Sequence, residues 1–220
     1  VRLLGVVEAL KADYKLILVD ARGHGQSDKP HDPADYLPEP KSKDIEAILD
    51  HLGIEATHYM GYSMGGRIGF DVVTHALHRL LSLIAGGAGP SSLPMYETSQ
   101  EIFQSGDTIE EVLATKELVL GEVPEPLRSE FLANDLDALH ASLDRSILDQ
   151  EELYKSTLMK FDKPTLMFAG TADSRYENVV DTAEKMPNAE FVAIDKVDHG
   201  GAFMQVGVVI PRIKSFLASV

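Results

Sequence analysis

The chain has 220 residues, 44% apolar and 25% charged, with no cysteine and a formal net charge of −15 at pH 7. That length supports one well-buried core, the missing cysteines exclude disulfide scaffolds, thiolate metal sites and cysteine nucleophiles, and the acidic balance repels phosphate backbones and anionic surfaces. No apolar run approaches the roughly 18 residues of a membrane span, so neither a nucleic-acid nor a membrane partner is expected, and a cytoplasmic location is.

In chain order, a helical stripe (Leu3, Leu4, Val7, Leu10) precedes a short apolar run at 16–20, LILVD, which reads as a strand. Residues 44–52 then place Ile45, Ile48, Leu49 and Leu52 on one helical face, with Gly53 where a left-handed cap would sit. A strand at 57–62 and a helix at 64–78 follow, then a third strand at 81–85. Gly86, Gly87 and Gly89 come next; without a P-loop lysine or the spacing of a phosphate cradle they read as a turn. Further strands are expected at 165–169 and 190–195, and a final helix at 203–219 carries Phe203, Val206, Ile210, Ile213 and Leu217 at helical spacing. Five strands alternating with helices predict an α/β fold, a mostly parallel sheet covered by helices on both faces.

Residues 91–160 break this alternation. They show no strand pattern, two apolar helical stripes (Ile109, Val112, Leu113; Leu127, Phe131, Leu132, Leu136) and 15 acidic against 5 basic residues, a net −10. The expected organisation is a core of 1–90 and 161–220 with 91–160 inserted as a helical cap or lid. Acidic helix faces are commonly just solvated, so a cap over a pocket and a plain helical layer both remain open. The charge of this segment disfavours polyanionic substrates.

The chemistry concentrates at GYSMGG, residues 61–66, a G-x-S-x-G sequence directly after a strand-like run and directly before a helix-like one. A serine on so tight a turn is presented above the sheet edge, provided that small neighbours, Gly61 and Gly65, let the backbone bend. Ser63 is the candidate nucleophile, and the amide of Met64, opening the helix, is the candidate oxyanion donor. A serine hydroxyl needs a base. Of eight histidines, His199 in DHGGAF follows the last strand on a loop of small residues that could lay its ring over the elbow. His75 and His78 form H-x-x-H without the glutamate of a zinc motif; His24, His31, His51, His58 and His140 lie in loops, turns or the insertion. The base needs a carboxylate to fix its tautomer. Asp173, in GTADS after the 165–169 strand, sits where open parallel sheets place their sites; Asp198 is too close in sequence to reach its neighbour's ring, and Glu177 is the nearby rival.

With Ser63, Asp173 and His199 in that order, the sequence resembles the α/β-hydrolase family. It is similar to that family also at VDARGHGQSDKP (19–30) and PTLMFAGTAD (164–173), so the resemblance spans nearly the whole chain. It implies that the first of these segments, with Gly23, His24 and Gly25, is a structural turn. A serine nucleophile sets the chain nearer the esterases, enol-lactonases, carbon–carbon bond hydrolases, perhydrolases and iminopeptidases than the aspartate-dependent branches. The resemblance further implies earlier strands, with a His-Gly loop that donates a second oxyanion amide. Neither is present ahead of LILVD, and roughly 30 to 50 further N-terminal residues are expected in the native protein. The expected activity is acyl transfer to water on a small to medium carboxylic ester or lactone, with no metal and no organic cofactor. The competing class is a binding or signalling protein that keeps the same shell with little turnover.

Overall fold

Four of the five expected strands pair. The computed structural model describes residues 5–90, 93–123, 125, 127–143 and 151–220. In order these form α1 (Val6–Leu10), a 3-10 turn (Pro33–Tyr36), α2 (Pro38–His51), β1 (Thr57–Tyr62), α3 (Met64–His75), a second 3-10 turn (Leu77–Arg79) and β2 (Leu80–Gly86). They continue with α4 (Leu93–Phe103), α5 (Ile109–Leu120), α6 (Leu127–Leu132), α7 (Leu136–Ala141), α8 (Glu151–Leu158), β3 (Thr165–Gly170), α9 (Tyr176–Lys185), β4 (Ala189–Ile194), α10 (His199–Met204) and α11 (Val206–Leu217). The strands lie in the order β1-β2-β3-β4, all parallel, with Met60 opposite Ile84, Ala85 opposite Met167 and Phe168 opposite Val192. All C-terminal strand ends therefore share one edge, which is where the candidate residues cluster.

Alternation along the strands divides the core into two layers. Leu83, Ala85, Met167 and Ala169 face α3, α8 and α9, meeting Phe70, Val73, Tyr154 and Val179. Ile84, Leu166 and Phe168 face the opposite way, onto α1 and α11, meeting Leu10, Val209 and Ile213. Because β3 is covered on both sides, every one of its residues is buried, and its sequence reads as a continuous apolar run rather than an alternating one.

The strand expected at 16–20 is not formed. These residues pair with no strand among those described, β1 stands at the sheet edge, and Leu18 and Val19 are exposed. A strand is defined by its ladder, and an apolar run without a partner has nothing to be a strand of; Leu16 alone packs against the second layer. The helix expected at 44–52 begins earlier, at Pro38, whose preset φ suits a first helical position, while its end matches, with Gly53 at φ 65. The helix expected at 64–78 stops at His75. The one expected at 203–219 is split at Gln205, where ψ swings to 50, into α10 and α11.

Within 91–160, α5 starts on a capping box, Thr108 with Glu111. Ile102, Val112 and Leu120 form a small cluster of their own, joined by Phe131 and Leu136. Leu3, Leu4 and residues 91–92, 124, 126 and 144–150 lie outside the described residues. No helix among those described is long and apolar enough to cross a membrane.

Candidate active site

Ser63 sits between the end of β1 and the start of α3 with φ 53 and ψ −115, a left-handed conformation that side chains rarely adopt. The surroundings hold it there. Its amide donates to the Gly86 carbonyl at 2.8 Å, tying the turn to β2, and α3 crosses so close behind that a Cβ on Gly61 would lie 2.2 Å from the Gly65 backbone. Gly65 itself is not constrained in this way: a Cβ there meets nothing within 4 Å. The expectation that both glycines permit the bend holds sterically for Gly61 alone. Met64 opens α3, and no acceptor among the described residues takes its N–H. The donor is thus free beside Ser63, at the positive end of the helix.

His199 and Asp173 reach the same point from the other strands. The turn after β3 carries Asp173, and His199 opens α10 after β4, with Asp198 as N-cap accepting from the Gly201 amide at 2.6 Å. His199 Nε2 lies 2.9 Å from Ser63 Oγ, and Nδ1 donates to Asp173 Oδ2 at 2.7 Å. An ionised carboxylate only accepts, so this bond assigns the proton to Nδ1 and leaves the Nε2 lone pair toward Ser63. The Asp173 side chain is wholly buried and that of His199 nearly so. Burial holds His199 below its ordinary 6.5, aided by the charges of Arg175 and Lys116 and opposed by Asp173. Burial alone would raise the Asp173 carboxyl, but the His199 bond and charge and the Arg175 amide outweigh it and hold it below the ordinary value. The rival Glu177 lies exposed in the first turn of α9.

Four further residues belong to this site that sequence reasoning missed. Tyr62 stacks on Phe203 with ring centroids 4.7 Å apart, lies 5.1 Å from the His199 ring and donates its hydroxyl to the His199 carbonyl. Arg175 Nη1 is 3.1 Å from both Ser63 Oγ and His199 Nε2. Arg67, one turn along α3, and Lys116, on α5, are near enough to act on Arg175 and on each other. The place of Tyr62 inside GYSMGG and of Arg175 two residues beyond Asp173 were the available signals; Lys116 had none.

Other histidines are engaged elsewhere. His58 Nδ1 meets Ser82 Oγ, His140 Nε2 the Phe103 carbonyl, His78 pairs with Glu46, and His24 Nδ1 reaches the Arg22 carbonyl. The 19–30 turn is pinned by the Arg22 fork, with Nε and Nη2 each 2.7 Å from Asp44. His31, Asp135 and Asp137 have ligand-type atoms within 4.8 Å of one another; His31 and Asp137 are surface groups with an ordinary pairing to explain them, since His31 bonds Asp135 at 3.2 Å.

A parallel sheet with a strained serine turn leading into a helix defines the class: this is an α/β-hydrolase-fold protein, and residues 4–103 match the family model described as α/β hydrolase fold. Among relatives, a Bacillus subtilis (strain 168) protein provisionally named a 2-succinyl-6-hydroxy-2,4-cyclohexadiene-1-carboxylate synthase is 21% identical over 97% of this chain and 85% of its own. The structure of the esterase RhEst1 from Rhodococcus sp. ECU1013 superposes with a TM-score of 0.82 at 21% identity, covering 97% of this chain and 84% of that one. The enol-lactonase from Burkholderia xenovorans LB400 gives 0.76 at 20% identity, covering 98% and 86%. At these identities the structural likeness establishes the fold.

Proposed function

We propose that the protein is a serine hydrolase that cleaves small to medium carboxylic esters or lactones through Ser63, His199 and Asp173. The observation that carries this reading is the alignment of Asp173 Oδ2, the His199 ring and Ser63 Oγ within hydrogen-bond reach, at 2.7 and 2.9 Å. His199 Nε2 removes the Ser63 proton as Oγ attacks the carbonyl carbon, and the oxyanion that forms is met by the free Met64 amide. Collapse breaks the bond to the leaving oxygen, which takes the proton from the imidazolium, and an acyl-enzyme remains. The same ring then deprotonates water, and a second tetrahedral species releases the acid and restores Ser63. Asp173 stays ionised throughout and stabilises the imidazolium. The esterase and enol-lactonase of like fold support this chemistry.

In this reading α4 to α8 form a lid. The end of α5 runs against the loop that carries His199: a Cβ on Gly121 would lie 2.3 Å from Asp198 Oδ2, and one on Gly200 would lie 2.9 Å from the Glu122 carbonyl. Substrate enters between this layer and the C-terminal edge of the sheet. The test is turnover on a panel of esters and lactones beside Ser63→Ala, with fluorophosphonate labelling read by intact mass. Ser63→Ala should lose the label and at least about 10⁴-fold in kcat. Retained turnover or label in that variant sinks the assignment.

A further inference from the structure

The partly buried Arg22, Lys41 and Arg79 pair with carboxylates, Asp44, Asp71 and Asp50 respectively. The three at the triad do not. Among the described residues Arg67, Lys116 and Arg175 make no ion pair, and the one carboxylate of the triad, Asp173, is committed to the His199 ring and the Arg175 amide. Arg175 Nε is buried without a hydrogen-bond partner, and Lys116 Nζ lies over the Phe131 ring, 5.3 Å from its centroid. Burial and mutual repulsion push the Lys116 ammonium down to about 8 and the Arg67 guanidinium down to about 10. The charges of Asp71 and Asp173 offset part of this for Arg67 and Arg175; like charges held partly out of water remain costly unless something compensates.

Arg175 adds a second, independent observation. A neutral imidazole offers a single lone pair at Nε2, yet Ser63 Oγ and Arg175 Nη1 both stand within bonding distance of it, at 2.9 and 3.1 Å. While the guanidinium donates there, Ser63 cannot. In this arrangement the base is held back while Arg175 stays in place.

We propose that Arg67, Lys116 and Arg175 form a carboxylate-binding subsite, so that the substrate is an ester or lactone carrying one free carboxylate close to its scissile carbonyl. This rests on the serine hydrolase reading and narrows its substrate class. The carboxylate enters among the three cations, takes the Arg175 fork in charge-assisted hydrogen bonds, and in doing so frees Nε2 for the Ser63 proton. A single negative charge fits better than a phosphate because the whole chain, at −15, repels multiply charged ligands on approach. The net −10 of the 91–160 segment is thus a poor guide to what the site accepts, because Lys116, from that segment, acts on the His199 ring as a positive charge.

The experiment compares 4-nitrophenyl hydrogen succinate with its neutral methyl ester, methyl 4-nitrophenyl succinate, on the full chain. The acid should be preferred by about tenfold or more in kcat/KM, the scale of one charge-assisted contact. Lys116→Gln and Arg67→Gln should each lower that preference by about tenfold, through KM, while Lys116→Arg keeps it; melting curves show that the variants are folded. Monomethyl succinate, which carries one carboxylate, should bind Ser63→Ala, and that binding should be lost in Ser63→Ala with Lys116→Gln. Equal kcat/KM for the two esters with no monomethyl succinate binding overturns the subsite even when fluorophosphonate labels Ser63. Monomethyl succinate binding to a chain that is never labelled keeps the subsite and removes the nucleophile.

Discussion

Replacing Gly61 by alanine tests how the elbow is built, because the structure separates the two glycines that flank Ser63. A methyl at Gly61 would lie 2.2 Å from the Gly65 carbonyl carbon and oxygen and 2.6 Å from the Gly66 nitrogen. These are backbone atoms at the start of α3, so no rotamer change relieves the clash. Overpacking costs about 1 to 3 kcal/mol, and with backbone as the obstacle the upper value, about 3, is expected. At about 2 to 4 °C per kcal/mol for a chain of this size, Tm should fall by about 6 to 12 °C. To relieve the contact α3 must move away from β1, carrying the Met64 amide with it, so fluorophosphonate labelling of Ser63 should slow as well. Gly65→Ala is the control: its methyl meets nothing within 4 Å, and alanine in a helix gains up to about 1 kcal/mol over glycine, so Tm should hold or rise by about 2 to 4 °C. Differential scanning fluorimetry of the two variants decides the matter. Equal losses, or an unchanged Gly61→Ala, would show that strand–helix crowding does not hold the turn.

Three other outcomes are expected. His199 must be neutral to act as base and is held below 6.5 by burial and by Arg175 and Lys116, so the acid limb of kcat/KM should fall below pH 6.5; Arg175→Met removes one of those charges and should move the limb to higher pH, and an unmoved limb would show that Arg175 does not act on the ring. The same depressed value means that the unfolded chain binds the proton more readily, so this contribution to stability is complete above about pH 6.5 and is lost as pH falls through the folded-state value, measurable as a urea midpoint that declines in that window and does so less in His199→Gln. Phe70 is fully buried between α3 and the sheet, and Phe70→Ala should cost about 3 to 5 kcal/mol in urea unfolding; a loss below about 1 kcal/mol would mean that the layer repacks around the gap.

Much of this molecule was legible along the chain because its elements are defined locally. Runs at 57–62 and 165–169 become β1 and β3 with ends within a residue of those expected, since a short apolar run between turn signals has few other solutions in a covered parallel sheet. The convergence of Ser63, Asp173 and His199 was legible for a related reason. Each follows the C-terminal end of a strand, and parallel pairing brings those ends to one edge whatever the loops between them do. What the tertiary structure decided depends on partners far away in sequence. LILVD has the composition of a strand, but a ladder needs a second backbone at hydrogen-bonding distance, and no described strand supplies one. Arg175 lies 112 residues from Ser63 and still donates to it, and Lys116 comes from a segment whose net −10 pointed the other way. Charge composition sums over a segment without regard to position, whereas the field at a given atom falls with distance and strengthens with burial; the charges of Arg175 and Lys116 therefore act on the His199 ring in a chain whose net charge is −15.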